Sequence, residues 1–247
     1  MRLMFNFTSD EGIEIFNRRL KDTRLIQISW ILPTASILLA TFIHYFSGNF
    51  RDIPFFISET DHPGIEDHVF SIGLFLSAVI QIVVSFRLYI LFKPIASPKL
   101  HLVALLCGLA TSTHLAVLAF VTMEQNLEIH IYTAMVVFHG GFAWAFATHF
   151  SLPKSASKGR RVRIYSLLIA FTSLLVMSLS IRDGIKSGEE ELGVHSSEIG
   201  LEYLQPWVNY AAPAEYLLFF GLIGCLASFR WDIKEHASKG QDSPIEG

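Results

Sequence analysis

Six long apolar segments, separated by loops that alternate between basic and acidic, leave this chain few ways to fold. The segments are Leu25–Phe46, Val69–Phe92, Leu100–Met123, Ile129–Phe150, Ile164–Ile181 and Trp207–Phe229. Each is about 18–24 residues long, enough at helical rise to cross a hydrocarbon core of roughly 30 Å. Backbone groups in lipid must be satisfied within the segment itself, so continuous apolar runs of this length read as helices. The expected fold is all-α, a polytopic membrane bundle of six transmembrane helices. Only 17% of the residues are charged, against about 25% in an ordinary soluble domain.

The sorting of those charges predicts the orientation. Basic residues gather at Arg18, Arg19, Lys21 and Arg24, at Arg87, Lys93 and Lys99, at Lys154, Lys158, Arg160, Arg161 and Arg163, and at Arg230 and Lys234. Acidic residues fill the other loops: Asp52, Glu59, Asp61, Glu66 and Asp67, then Glu124 and Glu128, then Glu189 to Glu191, Glu198 and Glu202. Lys and Arg are retained on the cytoplasmic side, so both termini are expected in the cytoplasm and the three acidic loops in the lumen or outside. No charge block points to a nucleic-acid partner. Arg160, Arg161 and Arg163 read as determinants of topology more readily than as headgroup ligands.

Three regions follow. Residues 1–24 mix acids and bases ahead of the first span, unlike a cleaved signal peptide, and read as an amphipathic cytoplasmic helix on the membrane surface. Residues 25–232 form the six-helix domain. Residues 233–247 read as a cytoplasmic tail, disordered from about Ala237. The sequon Asn6-Phe7-Thr8 falls on the cytoplasmic side and is expected to stay unused. Cys107 and Cys225 lie in spans 3 and 6 and read as small core residues. Pro33 and Pro213 are expected to kink spans 1 and 6, freeing a carbonyl that can line a cavity. The long loops, Ser47–His68 and Arg182–Pro206, share the acidic side.

Polar groups inside the apolar segments are the candidates for function. Glu215 lies about eight residues into span 6, roughly 12 Å deep. A carboxylate there costs at least about 2.5–3.5 kcal/mol, so it must be protonated, paired or facing a wet cavity. His44, His68, His114 and His130 fall in the same half of the membrane. His139 follows His130 by nine residues, about 180° around an ideal helix, so both cannot face one site. The functional reading is a titratable pocket beneath the two long loops. The structural alternative is that each histidine bonds a carbonyl or hydroxyl on a neighbouring helix.

Cofactors are not expected. His101 and His114, and His139 and His149, are rotated by about 140° and 80°, which argues against haem stacked between spans 3 and 4. No HxxxH or HExxH pair is present, so no metal is assigned; a zinc site would have to assemble from several spans. Triad, phosphate-loop and dinucleotide fingerprints are absent.

The stretch Pro54-Phe-Phe-Ile-Ser58-Glu-Thr-Asp61, leading through Val69-Phe70 into span 2, resembles the Pro-x-Ile-Ser-Asp signature of the damage-regulated autophagy modulator (DRAM)/Sfk-type family. His130 at the head of span 4 is similar to that family's histidine. Ala214-Glu215-Tyr216 and Trp231-Asp232 resemble the Glu-Tyr and terminal Trp-Asp of its post-GPI-attachment lipid-remodelling branch. The likeness covers about Ile26–Asp232. It departs at Pro54, one residue further from Ser58 than usual, and at Glu59, where Asp is commoner.

The resemblance implies a membrane lipid, of GPI type or a phospholipid, as the object of action, with membrane-protein partners possible. It implies an integral multi-pass protein of the ER, Golgi, lysosome or plasma membrane. On that basis His130 is the expected general base, oriented by Glu215 or Asp61, with Ser58, His44, His68, His114 and Tyr216 as substrate-binding residues. Two alternatives stay open: a non-enzymatic regulator or scaffold with Glu215 as a structural hydrogen bond, and a proton-coupled transporter.

Overall fold

A computed structural model describes residues 5–6, 12–15, 18–152, 155–195 and 198–241, with the side chains of 5–6, 15 and 236–241 excepted. Six helices carry the fold: α1 Asp22–Ser47, α2 Ile65–Phe92, α3 Pro98–Leu118, α4 Leu127–Ser151, α5 Ser157–Leu192 and α6 Leu201–Gln241. All six are long and apolar enough to cross a membrane. Their outward faces stay apolar, with Phe42, Ile72, Leu106, Tyr132 and Leu168 exposed, the pattern expected of helices whose solvent is lipid. Consecutive crossings bring the three acidic loops to one end of the bundle, here the acidic end, and the basic loops to the other.

The amphipathic surface helix expected over residues 1–24 is not formed by the described residues. They make a small antiparallel sheet of β1 Phe5–Asn6, β2 Ile13–Ile15 and β3 Arg18–Leu20. Gly12 accounts for this: its φ is 133°, and a Cβ there would lie 2.2 Å from the Leu20 carbonyl oxygen, so the chain turns into a ribbon where a helix would need negative φ. Ile13 is fully buried against Leu25, Ile26, Leu88, Phe92 and Phe229, closing the basic end of the core. Thr8 of the sequon lies outside the described residues. At the other terminus α6 continues to Gln241, past the expected start of the tail; residues 242–247 lie outside the described residues.

The expected loop Arg182–Pro206 is mostly helix. α5 has 36 residues, about 54 Å at helical rise, so α5 and α6 project beyond the hydrocarbon core at the acidic end. Gly184 and Gly188 lie one helical turn apart in this projection. A Cβ at Gly184 would come within 2.9 Å of the Trp207 ring, and one at Gly188 within 2.7 Å of Ile199. The small-xxx-small spacing lets the helices close up, and polar residues nearby hid that spacing from a hydropathy reading.

Two buried ion pairs pin the basic end. Arg87 on α2 makes a two-pronged contact with Asp22 at the start of α1, at 2.7 and 3.0 Å. Arg163 on α5 is fully buried and donates to Asp232 on α6 at 2.6 and 3.4 Å and to Ser228 at 3.0 Å. Asp232 also accepts the Ala156 N–H at 2.8 Å, and the Arg163 guanidinium lies 4.6 Å from the Phe229 ring. Arg163 thus joins two helices, beyond its expected part in topology. Cys107 and Cys225 are free thiols.

Candidate functional site

The acidic-end loop after α1 is folded tightly over the bundle. A short 3-10 helix, Ile57–Thr60, forms its centre. Glu59 holds the turn by accepting the Phe56 N–H at 2.9 Å and pairing with Arg51 at 3.2 Å. Arg51 also donates to Gln205 on α6, and Gln205 in turn donates to the Pro54 carbonyl at 3.2 Å. Glu66 on α2 gathers the end of α1: Asn49 donates to it at 3.0 Å, and His44 lies 3.7 Å away. These contacts hold the loop as a cap on the helices.

Beneath the cap lies a cavity of about 120 Å³ bounded by α1, α2, α3, α4, α6 and the 3-10 helix. Its walls are apolar, among them Ile37, Leu74, Leu115, Val137, Phe219 and Leu226. Ser58, His130 and Glu215 are the polar residues at its capped end; Gln81 and Thr111 lie deeper. From Glu215 to Leu226 the wall runs about 16 Å along α6, close to one leaflet of a roughly 30 Å hydrocarbon core.

Glu215, 6% exposed, accepts the Ile57 N–H at 2.6 Å. The carboxyl therefore ties the first residue of the 3-10 helix to α6 and stands at the cavity edge. His130, 2% exposed, places Nδ1 2.6 Å from the Val121 carbonyl oxygen. A carbonyl can only accept, so the neutral ring carries its proton on Nδ1 and leaves a lone pair on Nε2. That Nε2 is buried and has no hydrogen-bond partner among the described residues. A backbone carbonyl from the α3–α4 connection thus orients His130; neither Glu215 nor Asp61 bonds its ring.

The other expected site residues divide by place. Ser58 lines the cavity beside His130 and Glu215. Tyr216 points to α1, its hydroxyl 3.3 Å from Thr41. His44 is buried in the cap, edge-on to Phe55 at 5.1 Å. His68 is 78% exposed beside Asp67, and His114 bonds the Ala110 carbonyl of its own helix at 2.9 Å, so neither reaches the cavity. Asp61 is 4% exposed within the cap, and its carboxyl oxygens have no hydrogen-bond partner among the described residues. It is not among the cavity walls.

Burial, with the Asp67 and Glu124 carboxylates close by, pushes the Asp61 carboxyl up to about 8. A raised acid favours the folded state when protonated. Its stabilisation is complete below the ordinary aspartate value of about 3.9 and lost as pH rises through about 8. The detergent-solubilised protein is therefore expected to lose thermal stability across that window, and Asp61→Asn to flatten the loss. Equal slopes in a melting series over pH would contradict it.

Several contributors escaped the sequence reading. Gln81 donates to the Ser29 carbonyl at 3.4 Å, the group left without its helical partner because Pro33 has no N–H. Both Pro33 and Gln81 line the cavity, where a freed carbonyl was expected. A lone amide in the middle of an apolar span was the available signal. The Thr111 hydroxyl is buried without a partner among the described residues. Backbone contributions from Ile57 and Val121 leave no trace in side-chain identity. Among the described residues no group of three or more His, Cys, Asp or Glu is arranged to hold a metal ion.

Comparison with known proteins adds one relationship. A family model described as the Frag1/DRAM/Sfk1/Cwh43P N-terminal domain matches residues 23–236. No curated protein and no solved structure matches the chain.

Proposed function

Because this integral multi-pass membrane protein belongs to the Frag1/DRAM/Sfk1/Cwh43P N-terminal domain family, we propose that it binds a membrane lipid in the capped cavity and takes part in remodelling that lipid's acyl chains, as in GPI-anchor-like lipids. The observation that carries this reading is the cavity's polarity: apolar walls about one leaflet long, ending at Ser58, His130 and Glu215. An acyl chain would lie among Ile37, Leu74, Leu115 and Phe219, with the polar end of the lipid beneath the 3-10 helix.

The chemistry suited to these groups is acyl transfer to a lipid hydroxyl. His130 Nε2 would take the hydroxyl proton as the oxygen attacks the carbonyl carbon of an acyl ester or thioester. The new ester bond forms, the donor's C–O or C–S bond breaks, and the imidazolium returns the proton to the leaving oxygen or sulfur. Glu215 holds the Ile57 turn, and with it Ser58, against the reacting end.

Ala134 is part of the cavity wall on α4. Ala134→Phe is expected to fill the cavity and remove lipid that co-purifies with the wild-type protein, read by native mass spectrometry with lipid identification. Retention of the same lipid by the folded variant would refute the site. His130→Ala is expected to lower acyl transfer about 10²–10⁴-fold, the usual worth of a general base. The Glu215–Ile57 hydrogen bond favours a second reading, a lipid-binding scaffold in which Glu215 is a structural pin. Full acyl transfer by folded His130→Ala protein, with lipid still bound, would dismiss His130 as the base and leave binding as the role of the site.

A further inference from the structure

The polar end of the cavity holds an imidazole, a carboxyl and a hydroxyl with no cation among them. His130, part of the cavity wall, commits its one ring proton to Val121, and its Nε2 is buried without a partner among the described residues. Glu215 places a carboxyl at the same end. Ser58 adds a hydroxyl, which can serve either way. No Lys or Arg is among the described residues that line the cavity. Arg51, the cation in the cap, is engaged by Glu59 and Gln205. Around the cap lie further carboxylates on separate elements: Glu66 and Asp67 on α2, and Glu124 before α4.

Burying an anion beside this carboxyl, with no positive partner, forfeits its hydration and gains no counter-charge. A hydrogen-bond donor meets the opposite situation. It can donate to the carboxyl oxygen of Glu215 or to the hydroxyl of Ser58 at the cavity's end, and the acidic surroundings raise the local concentration of neutral or cationic guests relative to anionic ones.

Resting on the lipid-site reading above, we infer that the cavity selects single-chain lipids whose buried polar end is a hydrogen-bond donor, a hydroxyl or an ammonium, and rejects those that end in a phosphate or carboxylate. A larger lipid would enter by a chain bearing a free glycerol hydroxyl, its phosphate remaining outside the cap.

The test is a panel of ligands sharing one oleyl or oleoyl chain: mono-oleoylglycerol, oleylamine, oleate and oleyl phosphate. Each is titrated against the detergent-solubilised full chain and read by native mass spectrometry. Mono-oleoylglycerol or oleylamine, or both, should bind at least about ten-fold more tightly than the two anions. The hydroxyl and ammonium arms distinguish which donor the site prefers. Ser58→Lys, which places a cation at the cavity's end, should raise the affinity for oleyl phosphate. Ala134→Phe should remove binding of every ligand. Anions that bind the wild type as tightly as the donors, yet are lost in Ala134→Phe, would overturn donor selection and leave the lipid site standing. Binding of all four ligands unaffected by Ala134→Phe would overturn the lipid site, and donor selection with it.

Discussion

Replacing Arg163 by Met is expected to destabilise the folded protein by about 3–5 kcal/mol, the usual cost of leaving one partner of a buried ion pair behind. Arg163 is fully buried, and the Asp232 side chain is 3% exposed. With the guanidinium gone, Asp232 keeps the Ala156 N–H but loses its counter-charge, and Ser228 loses a donor. The cost falls on the α5–α6 hairpin, whose far end supplies Gln205 and Glu215 to the cap. The double substitution Arg163→Met with Asp232→Leu should recover much of the loss, because removing both charges removes the uncompensated one. Denaturation of the three variants in the same detergent checks this. A single variant that loses less than about 1 kcal/mol, or a double variant no better than the single, would show that the pair does not bear on stability.

Glu215→Ala should have the next largest effect, and on two observables. The Ile57 N–H would lose its acceptor in a buried place, a cost of about 1–3 kcal/mol, and the 3-10 helix would lose its tie to α6. The cavity's polar end would then lose its shape, so co-purified lipid should be lost with it. Glu215→Gln separates these effects. A glutamine carbonyl oxygen can still accept from Ile57, so the fold should stay near wild type. Lipid retention without acyl transfer in Glu215→Gln would assign the carboxyl to the chemistry. Unchanged transfer would leave Glu215 as the pin of the cap. Wild-type stability in Glu215→Ala would rule out even that role.

The candidate site was partly legible in the chain. Glu215 and His130 stand out because an ionisable group deep in an apolar run has few structural excuses, and both reach the cavity. The same argument applied to His114 failed. A histidine can satisfy itself on the carbonyl four residues earlier, as His114 and His139 do, and hydropathy does not report which way a ring turns. His68 failed for another reason: α2 starts at Ile65, ahead of it, and its ring stands on an exposed side of that helix beside Asp67. The expected carboxylate behind His130 is a carbonyl instead, and a carbonyl belongs to every residue.

Hydropathy and charge by themselves determined the six helices, their order and the separation of an acidic from a basic end. Those properties depend on the free energy of transferring each residue into lipid, a sum over local composition. The tertiary structure alone decided what the buried polar groups do. Asp22 and Arg87 are 65 residues apart in the chain, and Ile57 and Glu215 are 158 apart. Whether such groups meet depends on helix rotation and packing, which small contacts such as Gly184 on Trp207 settle. The short ribbon before α1 was decided in the same way, by one backbone angle at Gly12 and by the burial of Ile13 beneath the bundle.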